Sequence, residues 1–297
     1  MKASRLSLVR VLIRRTKDDF DMEKVKKEVC VAGRTIETIL KMPSGNHSSG
    51  RKAKANVTRE AVRKNNDRLA VIRLRRILNA NFKKGDLHIV LTYREAPDPE
   101  RAKKDRSNFI KKLQRLCKKN KKELKYVAVT EYKHTRIHHH MVINISDVEL
   151  LSDAWEHGLI KIALLDKSGN YGKLAEYLLK ETQKTFREED CPNKRRYSSS
   201  NNLIKPVVKS EYVSIEQLFA DPKAITGYYI SEENIRRYEH PVTHLEHLEY
   251  IMIAINEPRK YKVWPRGKVV SDTEYFKIAE EHDAYEEEQL LFARCFE

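Results

Sequence analysis

Three consecutive histidines, His138, His139 and His140, have the residue type and spacing in this chain that most directly suggest chemistry. They lie within Ile137 to Ile145, a stretch rich in β-forming residues, and side chains two apart on a strand project from the same face. His138 and His140 therefore share one face, and His139 points to the other. Because two neighbouring imidazoles can bind one metal ion, the pair is a candidate metal site.

A carboxylate, Glu131, lies near the end of the preceding β-rich stretch, Lys125 to Tyr132. The short connection between the two stretches predicts a hairpin, which would bring Glu131 beside the histidine pair. Two imidazoles and one carboxylate leave positions open for water and phosphate, and this ligand set suits Mg²⁺, Mn²⁺ or a related Lewis acid. The alternative is a group of surface histidines that binds metal adventitiously or not at all.

A second candidate is Tyr177, in a segment with helical periodicity. Lys173 lies four residues before it and Lys180 three residues after it, so both share its face of the helix. Two ammonium groups beside a phenol can lower its pKa and hold a phosphate, as an activated tyrosine nucleophile requires. The alternative is a tyrosine that packs in the core with its hydroxyl in water.

These residues are positioned by a predicted α+β domain in which strands and helices follow one another along the chain. The expected strands cover 87–93, 125–132, 137–145 and 159–165, and the expected helices cover 58–82, 98–122, 147–158 and about 170–184. The helices have identifiable caps, Thr58, Asp98 with Pro99, Asp147, and Ser168 or Asn170. From residue 87 the order is the split β-α-β arrangement of ferredoxin-like domains, an antiparallel sheet with helices on one face and the other face free for a ligand.

The charge of the chain favours a polyanionic partner. It has 59 lysine and arginine residues against 43 aspartate and glutamate residues, a net charge of +16. Residues 211–297 hold 18 acidic and 10 basic side chains, so the positive charge is concentrated before residue 211. Nucleic acid is the favoured partner. An anionic membrane is less favoured, because Trp155 and Trp264 lie outside the basic runs.

Several protein classes are excluded by composition and motif. No apolar run approaches the roughly 18 residues that cross a bilayer, and arginines interrupt the apolar residues of segment 1–15, unlike a secretory signal. The four cysteines form no C-x-x-C pair, which excludes a zinc knuckle and gives no disulfide framework. No G-x-x-x-x-G-K-[ST] motif is present, so the sequence shows no helicase motor. We therefore expect a cytoplasmic protein without a membrane partner.

Taken in order, the hydrophobic strand ending Leu91-Thr92-Tyr93, the His-x-His strand and the Tyr-x-x-Lys helix resemble the HUH endonucleases. Within that family the chain looks nearest to the rolling-circle replication initiators of phages and plasmids. The resemblance covers roughly residues 56–205, as far as the basic and serine-rich tract Arg195 to Ser200. It divides the chain into a basic N-terminal region and linker (1–55), an HUH endonuclease domain with its lead-in helix (56–205) and an acidic, helical C-terminal accessory region (206–297).

The resemblance also implies a role for each candidate residue. His138 and His140 would be metal ligands with Glu131 as the third, and the ion would be Mg²⁺ or Mn²⁺. Tyr177 would be the nucleophile that becomes attached to a DNA 5′-phosphate, and Lys180 would orient or neutralise that phosphate. The implied partners are single-stranded DNA at a replication origin and a separate helicase and polymerase, in the cytoplasm of a bacterial host cell.

Two departures from the family pattern and two alternative functions accompany this interpretation. His139 occupies a position that is usually hydrophobic, and Tyr171 lies on a different helix face from Tyr177, so we expect one catalytic tyrosine. A conjugative relaxase or transposase-like HUH nuclease is one alternative, although many relaxases place the tyrosine before the histidines. A non-catalytic nucleic-acid-binding module is the other, but Tyr93, Tyr126 and Tyr132 lack its Gly-Phe-type signature.

Overall fold

The computed structural model describes residues 24–42, 59–132, 137–180, 182, 195–241 and 243–256. These residues form an α+β fold with one five-stranded and one six-stranded antiparallel sheet, which confirms the predicted fold class. None of the described helices is long and apolar enough to span a membrane.

The five-stranded sheet has the histidine strand at its centre. Its strands are β3 (Leu87–Leu91), β4 (Tyr126–Glu131), β5 (His138–Ile143), β6 (Ile160–Leu164) and β7 (Ser198–Ser199). Their spatial order is β6-β3-β5-β4-β7, and all neighbouring pairs are antiparallel. The four predicted strands are confirmed, with ends one or two residues shorter than expected, whereas β7 was not predicted.

Four helices accompany this sheet: α1 (Arg59–Asn81), α2 (Pro99–Lys119), α3 (Val148–Ala154) and α4 (Gly172–Lys180). The predicted cap of α2 is present, because Asp98 Oδ1 accepts a hydrogen bond from the Arg101 backbone N–H at 2.9 Å. Asp147 caps α3 in the same way. Helix α4 begins after Ser168 and Asn170, which belong to the preceding loop, and Thr58 lies outside the described residues.

Helices cover both faces of the five-stranded sheet, so the prediction of one face left free for a ligand is wrong. On one face the alternate residues of β3 and β5 pack with α2 and α3, through Ile89, Met141, Phe109, Leu113 and Leu151. On the other face β4 and β5 pack with α1 and α4, through Val129, Val142, Leu74, Leu78 and Leu178. The apolar stripes of α1 and α4 both require burial, and the sheet face that carries His138 and His140 provides it.

The six-stranded sheet combines strands from both ends of the chain. Its strands are β1 (Lys24–Ala32), β2 (Thr35–Lys41), β8 (Val208–Ser214), β9 (Tyr228–Tyr229), β10 (Ile235–Glu239) and β11 (Glu246–Ala254). Their order is β10-β11-β2-β1-β8, with β9 paired to β11. The predicted helical character after residue 206 is therefore wrong for the described residues, where a four-residue helix, α5 (Glu216–Phe219), accompanies the strands. The division into three regions stays a prediction.

A buried ion network attaches this second sheet to α1. The Arg75 guanidinium donates to Glu37 at 2.6 Å and to Glu249 at 2.8 Å, and Arg68 donates to Glu249 at 2.8 Å. Arg76 also pairs with Glu37. Because removing one partner would leave a buried charge uncompensated, the network favours one placement of the sheet against α1. The opposite side of α1 packs on α4, the helix that carries Tyr177.

Candidate active site

The hairpin of β4 and β5 brings three potential metal ligands together. Glu131 lies directly opposite His138 in the ladder, and its Oε2 is 3.1 Å from His138 Nε2 and 4.0 Å from His140 Nε2. One ligand atom from each residue lies within 4.8 Å of the other two. His140 is buried and the other two are partly buried. The cluster predicted from sequence is thus assembled, and it could hold a metal ion.

A fourth residue, His88 on β3, orients His140. Its Nε2 lies 3.3 Å from His140 Nδ1, and the two rings stack with 16° between their planes. If His140 Nδ1–H donates to His88, His140 Nε2 keeps its lone pair and faces Glu131. Burial, followed by the neighbouring His138 and His88, lowers the pKa of His140 to about 3. A neutral ring with its ligand nitrogen fixed by a hydrogen bond at the other nitrogen is typical of metal-binding histidines.

His139 points to the opposite face, as the strand alternation predicted, and is fully buried there. Arg106 donates to the Thr130 hydroxyl at 2.6 Å, so the hydroxyl hydrogen is available for His139 Nδ1 at 2.8 Å. His139 Nε2 then donates to the Tyr93 hydroxyl at 2.9 Å. Both ring nitrogens are therefore satisfied within the protein. Burial lowers the pKa of His139 well below its usual range, and the Arg106 charge adds to this effect.

Helix α4 places Tyr177 next to the histidine cluster. The centroid of its ring lies 5.2 Å from that of His140 and 6.1 Å from that of His88, in nearly perpendicular orientations. Leu178 and Leu179 are buried and attach the helix to the sheet, whereas Tyr177 is 53% exposed. The phenol therefore borders the candidate metal site and remains accessible from solvent.

The two lysines predicted to flank Tyr177 have different surroundings. Lys173 Nζ donates to Glu233 Oε2 at 2.8 Å, in the 3-10 turn between β9 and β10. Lys180 lies near the end of α4 and is exposed. Tyr171 is buried away from solvent, and burial, together with the nearby Asp166, raises its pKa to about 12. This agrees with the expectation that Tyr171 is not a second nucleophile.

Residues 86–186 match the family model of the replication-associated proteins described as ORF2 or gene II protein. The match begins beside β3 and ends after α4, so it contains all five predicted site residues, Glu131, His138, His140, Tyr177 and Lys180. It supports a replication-associated protein of phage or plasmid type. Neither a curated protein nor a solved structure gives a significant match to the chain.

Two features of the site were not predicted from the sequence of this replication-associated segment. His88 interrupts the otherwise apolar strand β3, and the alternation of Leu87, Ile89 and Leu91 into the core could have indicated that His88 faces the other way. The contact of Glu233 with the tyrosine helix had no local signal, because it joins residues 60 apart in the sequence. Tyr229, predicted to be core, is 44% exposed, and Trp264 lies outside the described residues.

Proposed function

We propose that this chain initiates rolling-circle replication by nicking single-stranded DNA with Tyr177 and later rejoining it, as an HUH endonuclease. The observation that carries the proposal is the convergence of Glu131, His138 and His140 with an accessible tyrosine 5.2 Å from His140. The match of residues 86–186 to a replication-associated family supports the role in initiation and favours it over mobilisation by a relaxase.

The strand order also supports the proposed fold family. Counting β3, β4, β5 and β6 as first to fourth, the sheet reads fourth, first, third, second. Helix α2 follows the first strand and α3 follows the third, as in the split β-α-β arrangement. Helix α4 then extends this unit and supplies the tyrosine.

The donor set suits the proposed cofactor, Mg²⁺ or Mn²⁺. Two imidazole nitrogens and a carboxylate oxygen face one another, and the His88 contact favours the tautomer in which His140 Nε2 is a ligand. An ion bound there would polarise the scissile phosphate and stabilise the charge that develops on it.

The proposed chemistry is a transesterification at one phosphodiester. The Tyr177 oxygen forms a bond to phosphorus and loses its proton to solvent, while the bond from phosphorus to the 3′-oxygen breaks and that oxygen is protonated. Lys180 would neutralise the phosphate held on the tyrosine. Because the number of phosphodiester bonds is unchanged, a later 3′-hydroxyl can reverse the step and rejoin the strand without ATP. A separate host helicase and polymerase would unwind and copy the DNA.

The test is covalent capture of labelled DNA. Wild-type protein is incubated with a library of 5′- and 3′-labelled single-stranded oligonucleotides and Mn²⁺ or Mg²⁺, and adducts are separated by denaturing electrophoresis. We expect an adduct that retains the 3′-labelled fragment and is absent in EDTA. Tyr177→Phe should form none, whereas Tyr212→Phe, which changes an exposed tyrosine on β8, should match wild type.

Each outcome bears on a different part of the proposal. The absence of any wild-type adduct over a broad library would favour the non-catalytic nucleic-acid-binding alternative. An adduct that persists in Tyr177→Phe would exclude this tyrosine as the nucleophile. An adduct that retains the 5′-labelled fragment would reverse the assumed polarity of the cleavage.

A further inference from the structure

A basic groove lies between α1 and the chain on either side of β7. Its volume is about 660 Å³, and one wall is formed by α1. The other wall is formed by residues 195–201 and Lys205. Strand β7 is the outer strand of the five-stranded sheet on this side, next to β4. We call this feature the edge groove.

The charges of the edge groove all have the same sign. Among the described residues that line it, Arg73, Arg195, Arg196 and Lys205 are basic and none is acidic. Arg73, Arg195 and Lys205 are exposed, whereas Arg196 is bound to Asp67 Oδ1 at 2.5 Å and to the Asn66 carbonyl at 3.1 Å. Three cations thus face the solvent, and Arg196 fixes one wall of the groove to the other.

The remaining lining residues suit a nucleic-acid strand. Asn66, Ser198, Ser199 and Asn201 offer neutral hydrogen-bonding groups, and the partly buried Tyr197 adds an aromatic surface between them. Burial raises the pKa of Tyr197, and the Arg73 charge opposes this rise, so the two side chains are close across the groove. Cations combined with an aromatic side chain are the usual means of holding single strands without sequence preference.

The position of the groove connects it to the candidate active site. Strand β7 runs antiparallel to β4, with Ser199 opposite Val127 and Ser198 opposite Ala128. The chain before Ser198 therefore runs towards the end of β4 at which Glu131 lies. Arg195 is the lining residue that this direction places furthest along the path to Glu131.

We infer that the edge groove binds the phosphate backbone of the single-stranded DNA on one side of the nicking site. The choice of single-stranded DNA rests on the proposed function. The concave shape supports the same choice, because a single strand can enter between the two walls, whereas a duplex would contact only their rims.

The test measures binding without cleavage. Fluorescence anisotropy of labelled oligothymidylate of about 16 nucleotides is recorded in EDTA over a salt series, with the full-length chain. The groove variant is Arg73→Gln/Arg195→Gln/Lys205→Gln. The matched control is Lys111→Gln/Lys118→Gln/Lys119→Gln, which removes the same charge from exposed positions on α2, across the sheet.

We expect the groove variant to lower the slope of log affinity against log salt by about 2, since each lost contact to a single strand removes about 0.7. Its affinity should fall by about 10-fold or more at low salt, and the control should change it by no more than about threefold. Equal losses in both variants would mean that only total charge matters, and would overturn the inference. So would a groove variant that binds as well as wild type, or one that loses more affinity for a duplex than for a single strand.

Failure of this inference is distinguishable from failure of the proposed function. The binding measurement uses neither metal nor Tyr177, so it stands even if wild-type protein forms no covalent adduct. If the proposed function holds, the groove variant should reach the wild-type adduct yield at saturating DNA and need more DNA to reach half of it. A lower yield at saturation would place the three residues in the chemical step and overturn their role in binding.

Discussion

The two faces of strand β5 treat adjacent histidines in opposite ways. On the face covered by α2 and α3, His139 is fully buried and bonded at both ring nitrogens to protein groups, Thr130 and Tyr93. On the face shared with α1 and α4, the Nε2 atoms of His138 and His140 converge on one carboxylate oxygen of Glu131. The residue type is the same and the positions are one apart.

This difference indicates what distinguishes a structural histidine from a candidate ligand. The structural ring has a complete set of partners and no direction in which it could accept another. The candidate ligands have a nitrogen that faces a carboxylate and an accessible tyrosine nearby. Burial does not separate the two roles, because His140 is also buried. The direction of the second nitrogen does.

The largest expected effect comes from exchanging the same side chain on the two faces. His140→Gln should lower Mn²⁺ affinity by about 100-fold or more, because it removes an imidazole ligand. His139→Gln should leave that affinity nearly unchanged, since its side chain lies on the other face. Isothermal titration with Mn²⁺, after removal of bound metal with a chelator, measures both. Equal losses in the two variants would contradict the division of roles.

A smaller effect is expected at His88, which contacts the ligand face without belonging to the cluster. His88→Leu should weaken Mn²⁺ binding by about 10-fold, since loss of the partner of a ligand histidine typically costs 10- to 100-fold. His88→Gln should recover most of the affinity, because its amide oxygen can accept the hydrogen bond from His140 Nδ1. Thermal unfolding of both variants provides the control for a folding defect. If His88→Gln binds as weakly as His88→Leu, the hydrogen bond does not orient His140.

Local patterns predicted the parts of the site that depend on one strand or one hairpin. Strand alternation placed His139 on the face opposite His138 and His140, and the short connection between β4 and β5 brought Glu131 opposite His138. Both rest on spacing along the chain, which a sequence displays directly. The nucleophilic role of Tyr177 stays a prediction, although the structure places its ring beside His140.

The features that were missed depend on contacts between distant segments. The pairing of β2 with β11 joins the two ends of the chain, and no pattern within residues 35–41 indicates that partner. The second helical layer was overlooked because α1 and α4 were counted as additions to the ferredoxin-like unit, although their apolar stripes require a sheet face. His88 was overlooked for the same reason, since its importance comes from a neighbour 52 residues away.

The smallest expected effect separates the two faces by their response to acid. His139 has a pKa far below its ordinary value of about 6.5, so it stays neutral in the folded protein and takes up a proton on unfolding below that pH. The unfolded state then binds more protons, and the free energy of unfolding falls as the pH falls. One such residue contributes up to about 1.4 kcal/mol per pH unit between about pH 6 and pH 5.

His139→Gln should remove this contribution while keeping hydrogen-bonding groups next to Thr130 and Tyr93. Urea unfolding in EDTA at several pH values should therefore show a slope of unfolding free energy against pH that is smaller than in wild type by up to about 1.4 kcal/mol per pH unit. His244→Gln, which changes a histidine that is largely exposed, provides the matched control and should preserve the wild-type slope. Identical slopes in wild type and His139→Gln would mean that the folded protein accepts a proton at His139. The bonds to Thr130 and Tyr93 would then not hold that ring neutral, and the contrast between the two faces of β5 would rest on metal binding alone.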